Sequence, residues 1–583
     1  MAGQPPLITV TDLSHSFPVQ GAEPVAALSG INLALHPGEM VAVVGANGSG
    51  KTTLGRHLNG LLLPDSGCVT VDGMDTRTRA DLPCIRSSVA MVFQRPEDQI
   101  VATTVEDDVA FGPQNLGLPG DQIESRVRWA LETTGMWEQR FRPPHLLSAG
   151  QQQRVAIAGA LAMRPRCMVL DEATAMLDPA GRRAVLDLLS QLHREGMTIV
   201  HITHSMREAC GAERVIVLAD GRVAWDGPPA ALFRDPDRLE PLGLEAPPAV
   251  ALYQELARRY PGLPGGLLTE AEVAEQLLGR LARRSASDEP ASEEPPAETG
   301  RPALSVSAVE HTYLEGTPFA TRSLEKLDLT LYAGEPAALL GPTGSGKSTL
   351  LQLMAGLLEP QAGKVVLDSH QPVSSGSRSV AMLFQRPEEQ LFETFVGDDV
   401  AYGPRQMGLP ADEVRRRVRW AMDLGNIPFD HYKDRFCQGI SGGEQRKAAL
   451  AGVLAVRPHI LLLDEPTAGL DPRTRREVLE TLRQMVQDEG MTLMMATHQM
   501  EDVAELAQRA WVLDRGRLLA TGTPRALFQR PDLMAQHGLE VPEVTSLFHR
   551  LWQEGADVPR DRLTLREGLE ALLCGLDAGE KRA

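Results

Sequence analysis

Two nine-residue runs, "GANGSGKTT" (Gly45 to Thr53) and "GPTGSGKST" (Gly341 to Thr349), carry the first recognisable chemistry in this chain. Each follows a short apolar run, "MVAVV" or "PAALL", and precedes a helical pattern. Glycines at such a turn let main-chain N–H groups converge on an anion, and the helix N-terminus that follows adds its dipole. The expected phosphate cradles are Gly45, Asn47, Gly48, Ser49, Gly50, Lys51, Thr52 and Thr53, and again Gly341, Thr343, Gly344, Ser345, Gly346, Lys347, Ser348 and Thr349. Lys51 and Lys347 would reach the β- and γ-phosphates of a nucleotide such as ATP, while the Thr52 and Ser348 hydroxyls would ligate Mg²⁺.

Acidic residues follow at matching distances. Asp171 and Asp464 end the apolar runs "CMVLD" and "ILLLD", where a carboxylate can hold Mg²⁺ directly or through water. Glu172 and Glu465 come next and could polarise the attacking water. His204 and His498 end another β-rich run and could donate to the oxygen that gains charge in the transition state. Gln94 and Gln385 could contact Mg²⁺ and the water. An Asp-Glu pair or a lone His is often only a solvated strand end; the preceding phosphate loop is what gives these residues a chemical reading.

Everything above occurs twice. Lys51 recurs as Lys347 and Gln94 as Gln385, at offsets of 296 and 291 residues, and "VLDEATAMLDP" recurs as "LLDEPTAGLDP". So steady an offset means a duplicated domain. Alternating short apolar strands and helical stretches predict an α/β fold with a mainly parallel sheet in each copy. Ile123, Val127, Ala130 and Leu131, like Val414, Val418, Ala421 and Met422, have helical spacing and predict a helical subdomain. The expected divisions are a first domain over 1–234, its C-terminal extension over 235–284, and a linker over 285–302. A second domain over 303–529 and its extension over 530–583 complete the chain. The linker, "SASDEPASEEPPAETGRP", is acidic and proline-rich with almost nothing apolar to bury.

The bulk numbers narrow the class. With 43% hydrophobic and 23% charged residues the composition is that of an ordinary soluble protein. A formal charge of −19 argues against broad nucleic-acid binding, which needs cations to displace counterions. No apolar run reaches the roughly 18 residues of a spanning helix, and the N-terminus lacks a signal-peptide pattern. The six cysteines form no Cys-x-x-Cys pair and are expected to be reduced thiols of a cytosolic protein.

The ordered set resembles the ATP-binding-cassette (ABC) nucleotide-binding domain, twice: phosphate loop, Gln loop, Ser-x-Gly signature, Asp-Glu strand, Leu-Asp turn and switch His. The resemblance implies tandem P-loop domains, each a RecA-like core with a helical subdomain and a small extension, hydrolysing ATP with Mg²⁺. It also implies that Phe17 and Tyr313 stack on adenine. Cassettes of this family pair head to tail, so Ser441 and Gly443 would complete the ATP site of Lys51, and Ser148 and Gly150 that of Lys347. Ala149 stands where the second signature has Gly442; since Ser148 and Gly150 are intact, it predicts a rate difference between two live sites rather than a dead one.

The segments "QRPEDQIVATTVEDDVAFGP" and "QRPEEQLFETFVGDDVAYGP" resemble the two ATPase types of energy-coupling factor (ECF) transporters. That likeness implies a fusion of both ATPase subunits, peripheral on the cytoplasmic membrane face. Its partners would be a transmembrane T component and a substrate-binding S component for a vitamin or a transition-metal ion. Other readings stay open: the ATPase of a sugar or peptide importer, or a soluble tandem-cassette protein acting on ribosomes or DNA. The short acidic linker fits the ribosomal class badly, and both halves keep Lys, Asp, Glu and His, whereas fused sugar-import ATPases often have a degenerate second half.

Overall fold

The computed structural model describes residues 5–18, 24–260, 262–283, 300–317, 320–368, 379–386 and 389–580. The expected linker therefore lies outside the described residues over 285–299. The described chain forms two compact units, residues 1–250 with 264–269, and residues 251–263 with 270–583.

In the first unit the strands are β1 (Ile8–Phe17), β2 (Val25–Leu35), β3 (Met40–Val44), β4 (Ser66–Val71), β5 (Met74–Asp75), β6 (Val89–Val92), β7 (Cys167–Asp171), β8 (Thr198–Ile202), β9 (Arg214–Ala219) and β10 (Arg222–Gly227). A six-stranded sheet runs β10-β9-β3-β8-β7-β6, and a second sheet runs β2-β1-β4-β5. The strand pairs from β6 to β9 are parallel, and only β10 enters antiparallel. Strands β3, β6, β7 and β8 are buried at every residue, which is why they read as continuous apolar runs rather than alternating ones. The pairing of Asp171 with Ile202 brings the C-terminal ends of β7 and β8 level beside the phosphate loop.

The second unit repeats the plan. Its strands are β11 (Pro302–Tyr313), β12 (Thr321–Tyr332), β13 (Pro336–Leu340), β14 (Ala362–Leu367), β15 (Val380–Leu383), β16 (Ile460–Asp464), β17 (Thr492–Ala496), β18 (Arg509–Asp514) and β19 (Arg517–Gly522). The main sheet runs β15-β16-β17-β13-β18-β19, with β12-β11-β14 beside it.

Both helical subdomains form where the apolar spacing placed them. The helix Gly120–Thr133 buries Val127, Ala130 and Leu131, and Ala411–Leu424 buries Val414, Val418, Ala421 and Met422. Each packs on the helix that begins at the Ser-x-Gly segment, Ala149–Ala162 or Gly442–Ala455. Those helices bury residues on nearly every side, Gln153, Arg446 and Lys447 among them, as expected of a helix enclosed between a subdomain and a sheet.

The expected first extension, 235–284, is divided between the units, with 235–250 and 264–269 in the first and 251–263 and 270–283 in the second. The helix Glu270–Leu278, from the first half of the sequence, packs within the second unit against Glu543–Gln553. Val273, Ala274 and Leu277 are buried there, and Glu270 accepts from the Arg550 guanidinium at 3.1 Å. Among the described residues no helix is long and apolar enough to cross a membrane.

Candidate functional site

Each phosphate loop joins a buried strand to a helix whose N-cap is a left-handed glycine. Gly50 and Gly346 have φ of 100° and 106°, and a Cβ on either would lie 2.6 Å from a carbonyl oxygen, of Ala27 or Ser323. Only glycine allows both the backbone conformation and that approach. The lysines curl back over the loops: Lys51 Nζ donates to the Gly45 and Ala46 carbonyls at 2.8 and 2.9 Å, and Lys347 Nζ to those of Gly341 and Pro342 at 2.7 and 3.1 Å.

The Thr52 hydroxyl donates to Asp171 at 2.9 Å, and Ser348 hydrogen-bonds Asp464. Burial, opposed by these hydroxyls and reinforced by the neighbouring glutamate, pushes both aspartates up to about 6. Two hard oxygen donors side by side in each half fit a magnesium ion, which takes such ligands.

Glu172 and Glu465 adopt φ of 50° and 49°, a left-handed conformation uncommon outside glycine. Strain of this kind persists where surrounding bonds over-determine it. The Glu172 N–H donates to Ile202 at 2.9 Å and the Glu465 N–H to Ala496 at 2.8 Å, fixing each to the neighbouring strand. His204 Nε2 lies 2.5 Å from Glu172, whereas His498 uses Nδ1, 2.8 Å from Glu465. Burial works to neutralise the two carboxyls, but the adjacent imidazoles and then the loop lysines hold both below the ordinary glutamate range. Each glutamate is therefore an ionised base at neutral pH. Gln94 donates to Glu172 at 2.9 Å.

Phe17 and Tyr313 are partly exposed at the ends of β1 and β11, each edge-on to a histidine, His15 or His311. The Tyr313 hydroxyl also meets that of Thr349 at 3.1 Å, tying this ring to its phosphate loop. Ser148 and Ser441 cap their helices with reciprocal capping boxes, to Gln151 and Glu444. A Cβ built on Gly442 meets nothing within 4 Å, so the methyl of Ala149 has an open counterpart in the second half.

Sequence reasoning missed several residues. Asp108 accepts from the Val101 and Ala102 N–H groups at 2.7 and 3.0 Å, and Asp399 from those of Phe392 and Glu393 at 3.0 and 3.1 Å, so a buried carboxylate shapes each segment after the Gln loop. The repeated Asp-Asp-Val was the available signal. Glu208 accepts from Thr174 and Thr203 at 2.9 and 2.7 Å and lies 2.8 Å from His201. In the second half Asp502 takes that place, bonded to Thr467 and Arg475. Nothing in the sequence ties Thr174 to Glu208 or Thr467 to Asp502, which are 34 and 35 residues apart.

The chain matches the ABC transporter family over residues 28–175 and 324–468. A Bifidobacterium longum protein named as an ABC transporter ATP-binding protein is 39% identical over 514 residues, 83% of this chain and 62% of that protein, so this chain spans less than two-thirds of that relative. A Methanosarcina acetivorans protein of the same description is 33% identical over 583 residues, covering 95% of this chain and 92% of its own length. An energy-coupling factor transporter ATP-binding protein, EcfA1 of Symbiobacterium thermophilum, is 54% identical over 283 residues, 48% of this chain and 99% of its own. Two phosphate loops, two ionised glutamates on strained backbone and a doubled family match lead to one assignment: this chain belongs to the ABC transporter ATP-binding proteins, an ATPase with two cassettes in one polypeptide.

Proposed function

We propose that the chain is the energy-coupling ATPase pair of an ECF-type importer, both ATPase subunits being fused in one chain. It would act at the cytoplasmic face of the membrane on a T component and an S component that carries a vitamin or transition-metal ion. The observation that carries this reading is the apolar surface after each Gln loop. Val101 and Phe392 are 64% and 62% exposed, and Phe111, Phe395, Tyr402 and Phe436 are also open to solvent. In the second unit Phe392 meets Tyr402 edge-on with ring centroids 4.6 Å apart and Phe395 stacks on Phe436 at 5.2 Å, and exposed apolar rings paired in this way suit a partner's apolar helix better than water. The identity to an ECF ATPase over about half of the chain supports the same reading.

In this reading ATP lies on each phosphate loop, with Phe17 or Tyr313 against the base and Lys51 or Lys347 on the terminal phosphates. Thr52 with Asp171, and Ser348 with Asp464, would hold Mg²⁺, with Gln94 and Gln385 nearby. The ion would offset charge on the phosphate oxygens. Glu172 and Glu465 orient and polarise water for in-line attack, and His204 and His498 keep those carboxylates ionised and aligned. The signatures, Ser148 with Gly150 and Ser441 with Gly443, would each complete the ATP site of the opposite half.

Membrane flotation tests the surface. The wild-type chain should float with vesicles of native membrane containing the partners. Phe392→Ala combined with Tyr402→Ala should reduce the bound fraction at least tenfold while ATP hydrolysis in solution is kept. Unchanged flotation would show that this surface does not receive the membrane partner.

A further inference from the structure

The two halves differ at one buried position behind the hydrolytic glutamate. Arg446 lies on the helix Gly442–Ala455, five residues beyond the capping Ser441, and is 5% exposed. Its Nη1 donates to the Glu465 carbonyl at 2.8 Å and its Nη2 to the Gln385 carbonyl at 3.1 Å. One planar group thus binds the main chain of two site residues from different loops. In the first half the equivalent position, five beyond Ser148, is Gln153, 1% exposed, and its amide nitrogen has no hydrogen-bond partner. The Glu172 carbonyl accepts from the Ala175 N–H at 3.1 Å, and the corresponding bond from Ala468 to Glu465 is 3.3 Å, so Arg446 is an added tie in the second half. Instead, the first half connects its Gln loop to the glutamate through the side chain of Gln94.

A buried guanidinium bonded only to carbonyls is a costly way to fill space, because its charge gives up hydration for neutral acceptors. Burial lowers it to about 10, so it stays protonated at neutral pH, with the Glu465 carboxylate as the charge that opposes the loss. The carbonyl it grips belongs to a residue at positive φ, where the direction of the carboxylate depends on how firmly the backbone is held. Placement errors of about 1 Å can lower turnover by roughly 10²-fold.

We propose that Arg446 is a positioning residue for ATP hydrolysis: it clamps the Glu465 and Gln385 backbones to the signature helix of the second half. Hydrolysis through Glu465 then depends on a tie that Glu172 does not have, and the two glutamates work at different rates. The inference rests on the ATPase assignment and not on the transported cargo, so failure to find membrane partners would leave it standing.

Steady-state hydrolysis in a Glu172→Gln background, where turnover comes through Glu465, tests it. Adding Arg446→Gln, the side chain used in the other half, should lower kcat tenfold or more. KM for ATP should change less than twofold, and the melting temperature by no more than a degree or two. Arg446→Lys keeps the charge and one carbonyl contact and should restore part of the loss, to within about threefold of the parent. Unchanged kcat in Arg446→Gln would overturn the proposal. So would kcat, ATP affinity and melting temperature falling together in both variants, the pattern of a packing role. If Arg446→Gln fails to fold, the Lys variant decides alone: kcat reduced at constant KM supports the clamp, and kcat equal to the parent ends it.

Discussion

Glu172 and Glu465 are expected to carry hydrolysis separately. Replacing either by Gln should leave ATP binding intact and lower turnover through that glutamate by about 10²-fold or more, with the double variant inactive. A single variant retaining full phosphate release would contradict this. Asp171 gives a pH test. Burial and its glutamate neighbour push it up to about 6, against 3.8 for a free aspartate. Its contribution to stability is therefore fully present below about pH 4 and lost as pH rises through 6. Asp171→Asn keeps an acceptor for Thr52 without the charge. In nucleotide-free protein it should be more stable than wild type at pH 8, by on the order of 2 kcal/mol, and no more stable at pH 4. Equal melting differences at both pH values would refute the argument. At this scale the sequence was a good guide to which residues the fold brings together, because the glycine, lysine and acid spacings set where each strand and loop must end. It could not show the positive φ of the two glutamates or the different ring nitrogens that His204 and His498 turn to them. Those depend on strands that meet only in the fold.

Among the elements, the phosphate loops leave the least room for change. Gly346→Ala would force a Cβ to 2.6 Å from the Ser323 carbonyl at φ of 106°, and should cost at least about 1–2 kcal/mol in a thermal melt and abolish nucleotide binding at that loop. Ala149→Gly is the opposite case. Since the equivalent Cβ position in the second half is open, turnover should change less than twofold, so the rate difference that the sequence led us to expect from Ala149 finds no steric cause in the fold. Periodicity placed the helices of both subdomains correctly, because one apolar face per turn is a local property. It gave no hint that Asp108 and Asp399 shape the segments after the Gln loops, since these carboxylates act on main-chain N–H groups that any residue supplies.

For the molecule as a whole, the duplication was legible because every motif repeats in order, and the family match bears it out. What the sequence left open was where the extensions go: a docked helix within each half, or packing of one extension on the other. The structure puts Glu270–Leu278 against Glu543–Gln553 within one unit, an outcome set by apolar stripes that either arrangement would bury. Proteolysis between residues 285 and 299 should therefore leave the two fragments co-eluting on gel filtration. Coupling to a membrane importer is tested by capture of the tagged chain from detergent-solubilised native membranes. Two integral membrane proteins, one a T component and one an S component, should be recovered in fixed ratio with the chain. Recovery of ribosomes or DNA in their place would contradict it.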